Sequence, residues 1–309
     1  MRFGHALPIL GLLAIFAGTQ PVSAQAAGAE NDQEITVIGR REAAAQTIKR
    51  LLNESSTGQI GRFEESLCPG VAGLPANYSA TIVSIIRANA AAAGLKLRRE
   101  GCRPNAVAVF VPKPAELVTG LRRRDRSLFG TMTRTEVLAL AESKRPVISW
   151  RVSETRKRDG TQLELASGME VDVGAGPKIV LPASEKGFRY SRQGIASRIG
   201  QDVREQILMS MAVVDSKRIK GKSLQQLGDL ATLHLLLDVS SDAGDRAAPH
   251  SMLSLFAERP EDRPLPEKLS EFDRGMLRGL YKQRNNSVSG HAQRSRMVSE
   301  ITSEADRPR

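Results

Sequence analysis

Residues 207–235 read Ile-Leu-Met-Ser-Met-Ala-Val-Val-Asp-Ser-Lys-Arg-Ile-Lys-Gly-Lys-Ser-Leu-Gln-Gln-Leu-Gly-Asp-Leu-Ala-Thr-Leu-His-Leu. An apolar run ends at Asp215. After a basic turn, Ser223 offers a hydroxyl to the first free N–H groups of a helix whose apolar positions are Leu224, Leu227, Leu230, Ala231 and Leu235. The same alternation of short apolar runs and capped helices extends outward in both directions. Residues 106–111, Ala-Val-Ala-Val-Phe-Val, form a buried-type strand stopped by Pro112. A helix is expected over residues 77–94, with Asn77 or Ser79 as its cap and Gly94 at its left-handed end. Two shorter helices are expected at 117–123 and 136–142, the second opened by the capping box Thr133-Arg134-Thr135-Glu136.

From Pro146 the period changes. Residues 147–152 read as a strand and Asp159-Gly160 as a turn, with short strands at 163–165, 171–173 and 179–181 in a meander-like section. A late helix runs from Ser270 to Lys282 behind a second box, Ser270-Glu271-Phe272-Asp273. The class is α+β: a mixed sheet packed against helices, with a helical C-terminus. No internal repeat is found. The expected organisation is a signal peptide at 1–24, a flexible leader with a short helix at 25–60, one principal domain at 61–284 and a polar tail at 285–309, either disordered or a loose helix to Ser303 that then frays.

The chain has 309 residues, 40% apolar and 26% charged, with two cysteines. Collagen-like, disulfide-framework and wholly disordered classes are thereby excluded. Met1-Arg2, the apolar stretch 6–17 and Val22-Ser23-Ala24 form a secretory signal, too short to span a bilayer and broken by Pro8. A periplasmic or secreted protein is expected. In that compartment Cys68 and Cys102 form a structural disulfide. Residues 34–41 show a short β-like alternation.

The net charge is +11. Arg122, Arg123, Arg124 and Arg126 form one basic cluster, and Lys217, Arg218, Lys220 and Lys222 another. Both are anion-binding candidates, suited to an anionic envelope component through a sequence-independent attraction. The interleaved aromatic residues of a single-strand binder are missing, so no specific nucleic-acid partner is expected. G-x-S-x-G, S-x-x-K, a P-loop and G-x-G-x-x-G are all absent. His234, His250 and Asp229 are a conceivable metal set, although the two histidines stand 16 positions apart.

Three pieces carry a resemblance: Ser223–His234, then His250-Ser251-Met252-Leu253-Ser254-Leu255-Phe256, then Leu269-Ser270-Glu271-Phe272-Asp273-Arg274-Gly275-Met276-Leu277-Arg278-Gly279-Leu280-Tyr281. Together they resemble the end of a matrixin-like (metzincin) zinc protease, where an H-E-x-x-H helix precedes a Ser-Ile-Met-like segment and a helix L-S-x-x-D-x-x-x-L-x-x-L-Y. The chain is also similar to an uncharacterised secreted alphaproteobacterial family, through the run 68–75 and Gly101-Cys102-Arg103-Pro104-Asn105. The protease resemblance implies a zincin-like fold and sets Gly228, Asp229 and Thr232 at the positions of the first His, the Glu and the second His. Those residues supply no imidazole, so no metal or cofactor is expected. The expected role is a non-catalytic zincin-like binding or scaffold module, whose groove holds an extended polypeptide by edge pairing. The competing expectation is a peptidase-like hydrolase with an unrecognised catalytic set.

Overall fold

A computed structural model describes residues 40–165, 169–171, 179–181, 189–190, 201–248, 250–258, 260, 264–282 and 288–305. The expected signal peptide and residues 34–39 of the β-like alternation lie outside them, whereas Arg40 and Arg41 begin a helix. In chain order the main elements are α1 (residues 40–51), β1 (Arg62–Phe63), β2 (Pro69–Ala72), α2 (Ala76–Ala93) and β3 (Ala106–Val111). Next come α3 (Pro114–Arg124), a 3-10 turn (Arg126–Phe129), α4 (Arg134–Glu142) and β4 (Val147–Lys157). Short strands β5 (Glu164–Leu165), β6 (Met169–Val171), β7 (Ile179–Leu181) and β8 (Arg189–Tyr190) precede β9 (Val203–Asp215). The chain continues through α5 (Leu224–Leu236), α6 (Ala243–Arg246), a 3-10 turn (Met252–Ser254), α7 (Glu271–Tyr281) and α8 (Gly290–Ala305).

The main sheet is mixed. β2 runs parallel to β3, and β3 parallel to β9, with Ala106 opposite Ser210 and Val111 opposite Asp215. β1 also pairs with β9 in parallel, at Arg62 and Phe63. β4 runs antiparallel on the other side of β9, from Val147 opposite Val214.

The period of two along the strands sends alternate side chains into two apolar layers. Ala106, Ala108 and Phe110 of β3, with Ala212 and Val214 of β9, face the larger core of α2, α5, α7 and α8. Met211 and Val213, with Ile148 and Trp150 of β4, face a smaller core under α3 and α4, where Phe129 stacks on Trp150 at 5.0 Å. Helices on both faces explain why residues 207–214 read as a continuous apolar run instead of alternating.

Three helices begin as their sequences predict. The capping boxes at Thr133, Ser223 and Ser270 are all formed, each cap contributing about 1 kcal/mol. Helix α2 is different: Pro75 stands at its N-cap without a side-chain bond, and Asn77 and Ser79 lie inside the helix. Its far end is as expected, with Gly94 at φ 97°. The disulfide Cys68–Cys102, Cα–Cα 6.2 Å, closes the β2–α2–β3 unit and on the chain-entropy account stabilises it by about 4 kcal/mol.

One expectation needs correction. The short strands after β4 form no meander with the main sheet; β5 pairs with β8 and β6 with β7 as nested two-stranded ribbons. Of the two readings of the polar tail the helical one holds, over residues 290–305, and residues 40–305 lie within one compact unit. A few apolar residues suffice to pack it. Met297, Val298 and Ile301 fall on one face of α8, and Ile301 and Met297 meet α7 at Gly275 and Gly279, which have no side chain to hold the helices apart.

Candidate functional site

The cleft takes shape from the order β4, β9, α5. Strand β4 has β9 on one side only; among the described residues no strand pairs with its other edge along residues 147–152. Asp215 donates its N–H to Pro146 O at 2.9 Å, so the antiparallel alternation turns Pro146, Ile148 and Trp150 toward β9. The N–H and C=O of Val147, Ser149 and Arg151 consequently point away from the sheet. They form the rungs of an unpaired edge.

Beside the start of this edge lies a cavity of about 710 Å³. Its walls are Lys144, Arg145, Pro146 and Val147 on the β4 side and Arg218 from the loop before α5. Leu230 and His234 of α5, Ser240, Asp245, Leu253, Phe256 and Glu258 also line it. The far wall is held by Asp273. This buried carboxylate accepts hydrogen bonds from Ser251 Oγ (2.6 Å), Met252 N (2.9 Å), Ser270 N (3.0 Å) and Ser270 Oγ (2.9 Å), fixing the turn that carries Leu253. Burial raises the pKa of Asp273, and the four donated bonds oppose that rise.

His234 lies where the sheet edge meets α5. Its Nδ1 is 3.2 Å from Ser149 Oγ, and Nε2 has no hydrogen-bond partner among the described residues. Next to it Arg151, 6% exposed, donates to His234 O (3.0 Å) and Asp238 Oδ1 (2.8 Å). The guanidinium thus satisfies a carbonyl at the C-terminal end of α5, where positive charge is favourable. Burial, and secondarily the charge of Arg151, lower the His234 pKa from 6.5 to about 3. So weak a base is poorly matched to activating a serine hydroxyl near neutral pH, and the Ser149–His234 contact is a strut joining β4 to α5.

A depressed histidine pKa has a definite sign. The unfolded chain takes up the proton near pH 6.5 while the folded chain refuses it until about pH 3. Stability is therefore complete above pH 6.5 and falls by at most about 1.4 kcal/mol per pH unit as pH drops between those values. Urea midpoints measured at pH 7, 6, 5 and 4 are expected to decline, and the decline attributable to this group should vanish in His234→Gln.

The positions implied by the protease resemblance lie elsewhere. Asp229 is 1% exposed and Thr232 fully buried. Asp229 accepts from Asn89 Nδ2 (2.7 Å), Gln225 Nε2 (2.9 Å) and Leu269 N (3.0 Å), and Thr232 Oγ1 donates to Gly228 O (2.8 Å). A Cβ on Gly228 would sit 2.7 Å from Ile85 of α2. All three residues thus serve the packing of α5 against α2 and the start of α7, and none lines the cavity. His250 borders a different cavity, beside Pro264 and Arg274, so the set His234, His250 and Asp229 is not assembled. Among the described residues no group of three or more His, Cys, Asp or Glu is placed to hold a metal ion.

The basic clusters also separate. Arg122 is half-buried and Arg123, Arg124 and Arg126 are exposed at the C-terminal end of α3 and in the turn after it, where cations suit the helix dipole. Lys217, Arg218 and Lys220 are exposed and Lys222 half-buried in the β9–α5 loop; of the eight, Arg218 alone lines the cavity. No described helix is long and apolar enough to cross a membrane. Sequence reasoning misses Leu230, Ser240, Ser149 and the β4 edge as one site. Helix α5 is buried nearly all round, from Gln226 to Leu236, so its apolar period does not reveal which face meets a cleft.

Compared with known protein families, with curated proteins and with solved structures, the chain matches none.

Proposed function

We propose that this chain is a secreted or periplasmic binding module: a zincin-like scaffold that lacks the means to hold a catalytic cation and receives an extended polypeptide along β4. One observation carries the reading. Leu230, His234 and Ser240 line the same cavity, and their spacing is i, i+4, i+10. This is the ligand spacing of the metzincin pattern H-E-x-x-H-x-x-G-x-x-H, which is followed by a Met-turn. In this register Leu230 and Ser240 take the places of the first and third imidazoles, Ala231 that of the general base, and His234 is the one ligand type retained. Met252 and the L-S-x-x-D helix α7 follow in the same order, and Asp273 ties the two together.

The residues do not fit zinc. A catalytic site needs three protein ligands and an open position, and one imidazole is left, already bonded to Ser149. The leucine side chain at 230 has no donor atom at all. What the cleft retains is shape and backbone chemistry: an apolar floor beside the unpaired rungs of Val147, Ser149 and Arg151, the arrangement that lets a sheet accept a further strand. The disulfide supports the extracytoplasmic location.

Edge pairing has a direct readout. With a library of free-ended decapeptides at millimolar concentration, the amide protons of Val147, Ser149 and Arg151 are expected to exchange at least tenfold more slowly. Unchanged exchange at all three would contradict the proposal.

A further inference from the structure

We infer that the cleft captures the free C-terminus of its polypeptide partner, the terminal carboxylate being held by Lys144, Arg145 and Arg218. The inference rests on the edge-pairing reading and adds the direction and the chemistry of the guest. The cavity lies at the beginning of β4, where these three cations are part of its wall. A guest strand antiparallel to β4 arrives there with its C-terminus; a parallel guest begins there with its ammonium group. These three cations outnumber the two carboxylates of the same wall, Asp245 and Glu258, so the balance of charge favours a guest carboxylate over an ammonium group and with it the antiparallel guest.

The backbone marks where the guest ends. Val147 offers the first outward rung, whereas the N–H of Arg145 already donates to Ser143 Oγ at 3.3 Å. Pairing therefore stops at Val147, and a carboxylate on the last residue falls next to Arg145. Pro146, Leu253 and Phe256 leave room for an apolar final side chain.

The cations are available. Lys144 is exposed and makes no ion pair among the described residues. Arg218 pairs with Asp215 at 3.6 Å and is half exposed. Arg145 pairs with Asp245 at 3.3 Å across the cleft, and Asp245 is itself 74% exposed. Exposed pairs of this kind are weak and exchange readily. Asp245 also demonstrates the geometry: a carboxylate reaches the Arg145 guanidinium from within the cleft, and a guest carboxylate displaces it.

The test uses the full mature chain and a biotinylated decapeptide library restricted to Ala, Val, Leu and Phe at its last three positions. The library is made once as the free acid and once as the C-terminal amide. Free acids are expected to be retained at least tenfold better, and Arg145→Ala with Arg218→Ala to bring them down to the amide level. Asp245→Asn, which removes the internal competitor, is expected to raise free-acid retention several-fold. Both arginines are at the surface, so circular dichroism of the double variant should match the parent. Equal retention of acids and amides, or acid retention unaffected by the double variant, overturns the C-terminal inference and leaves edge pairing standing. Retention of neither library overturns both.

Discussion

Asp273→Ala is expected to cost about 3–5 kcal/mol, close to the whole stability of a marginal domain. The carboxylate is fully buried and receives four hydrogen bonds, from Ser251, Met252 and Ser270. Alanine removes the acceptor and strands those donors in the interior, where each unsatisfied group costs about 1–3 kcal/mol. The damage also reaches the cleft, because the turn at Met252–Ser254 forms its far wall. Urea unfolding of the variant should show a large fall in midpoint with an unchanged slope. A loss below about 1 kcal/mol would mean that water or a neighbouring group replaces the carboxylate, contrary to the burial observed.

The second large effect is at the C-terminal helix pair. A Cβ at Gly279 would lie 2.3 Å from Met297 Cα and 2.5 Å from Met297 N. Those are backbone atoms, so no side-chain rotation relieves the overlap, and α7 and α8 must move apart. Gly279→Ala is expected to lose about 3 kcal/mol or more, at the upper end of overpacking costs. Gly120→Ala in α3 is the control. Nothing lies within 4 Å of its Cβ position, and alanine should there gain about 0.5–1 kcal/mol through helix propensity. Thermal unfolding that ranks the two variants in the reverse order would contradict the close helix contact.

These two positions illustrate what is legible in the sequence. Ser270 and Asp273 announce a capping box, and the box forms, because cap chemistry is local and four residues contain all of it. That Asp273 also holds the Met252 turn depends on a contact 21 positions away, which no local pattern encodes. Strand β3 is legible to the residue, since its apolar run ends sharply at Pro112. The antiparallel sense of β4 and its free edge are not legible, since direction and neighbour are properties of the assembled sheet. Helix α8 is legible as no more than a loose helix because its apolar surface is narrow; the glycines that make so narrow a face sufficient lie on another helix, α7. The protease resemblance points to helix α5, where two triplets have the spacing of H-E-x-x-H: Gly228, Asp229 and Thr232, and Leu230, Ala231 and His234. That Leu230 and His234 line the cleft is a property of the fold, which the spacing does not encode.

That register is the account's central claim, and metal binding by a restored site tests it. Leu230→His and Ser240→His together would put two imidazoles beside His234 at the spacing a zincin uses. Equilibrium dialysis of the folded double variant is expected to find close to one zinc ion per chain, lost again when His234→Ala is added, and no stoichiometric zinc in the parent. A folded double variant that takes up no zinc, or a parent chain that already carries one ion, would contradict the claim.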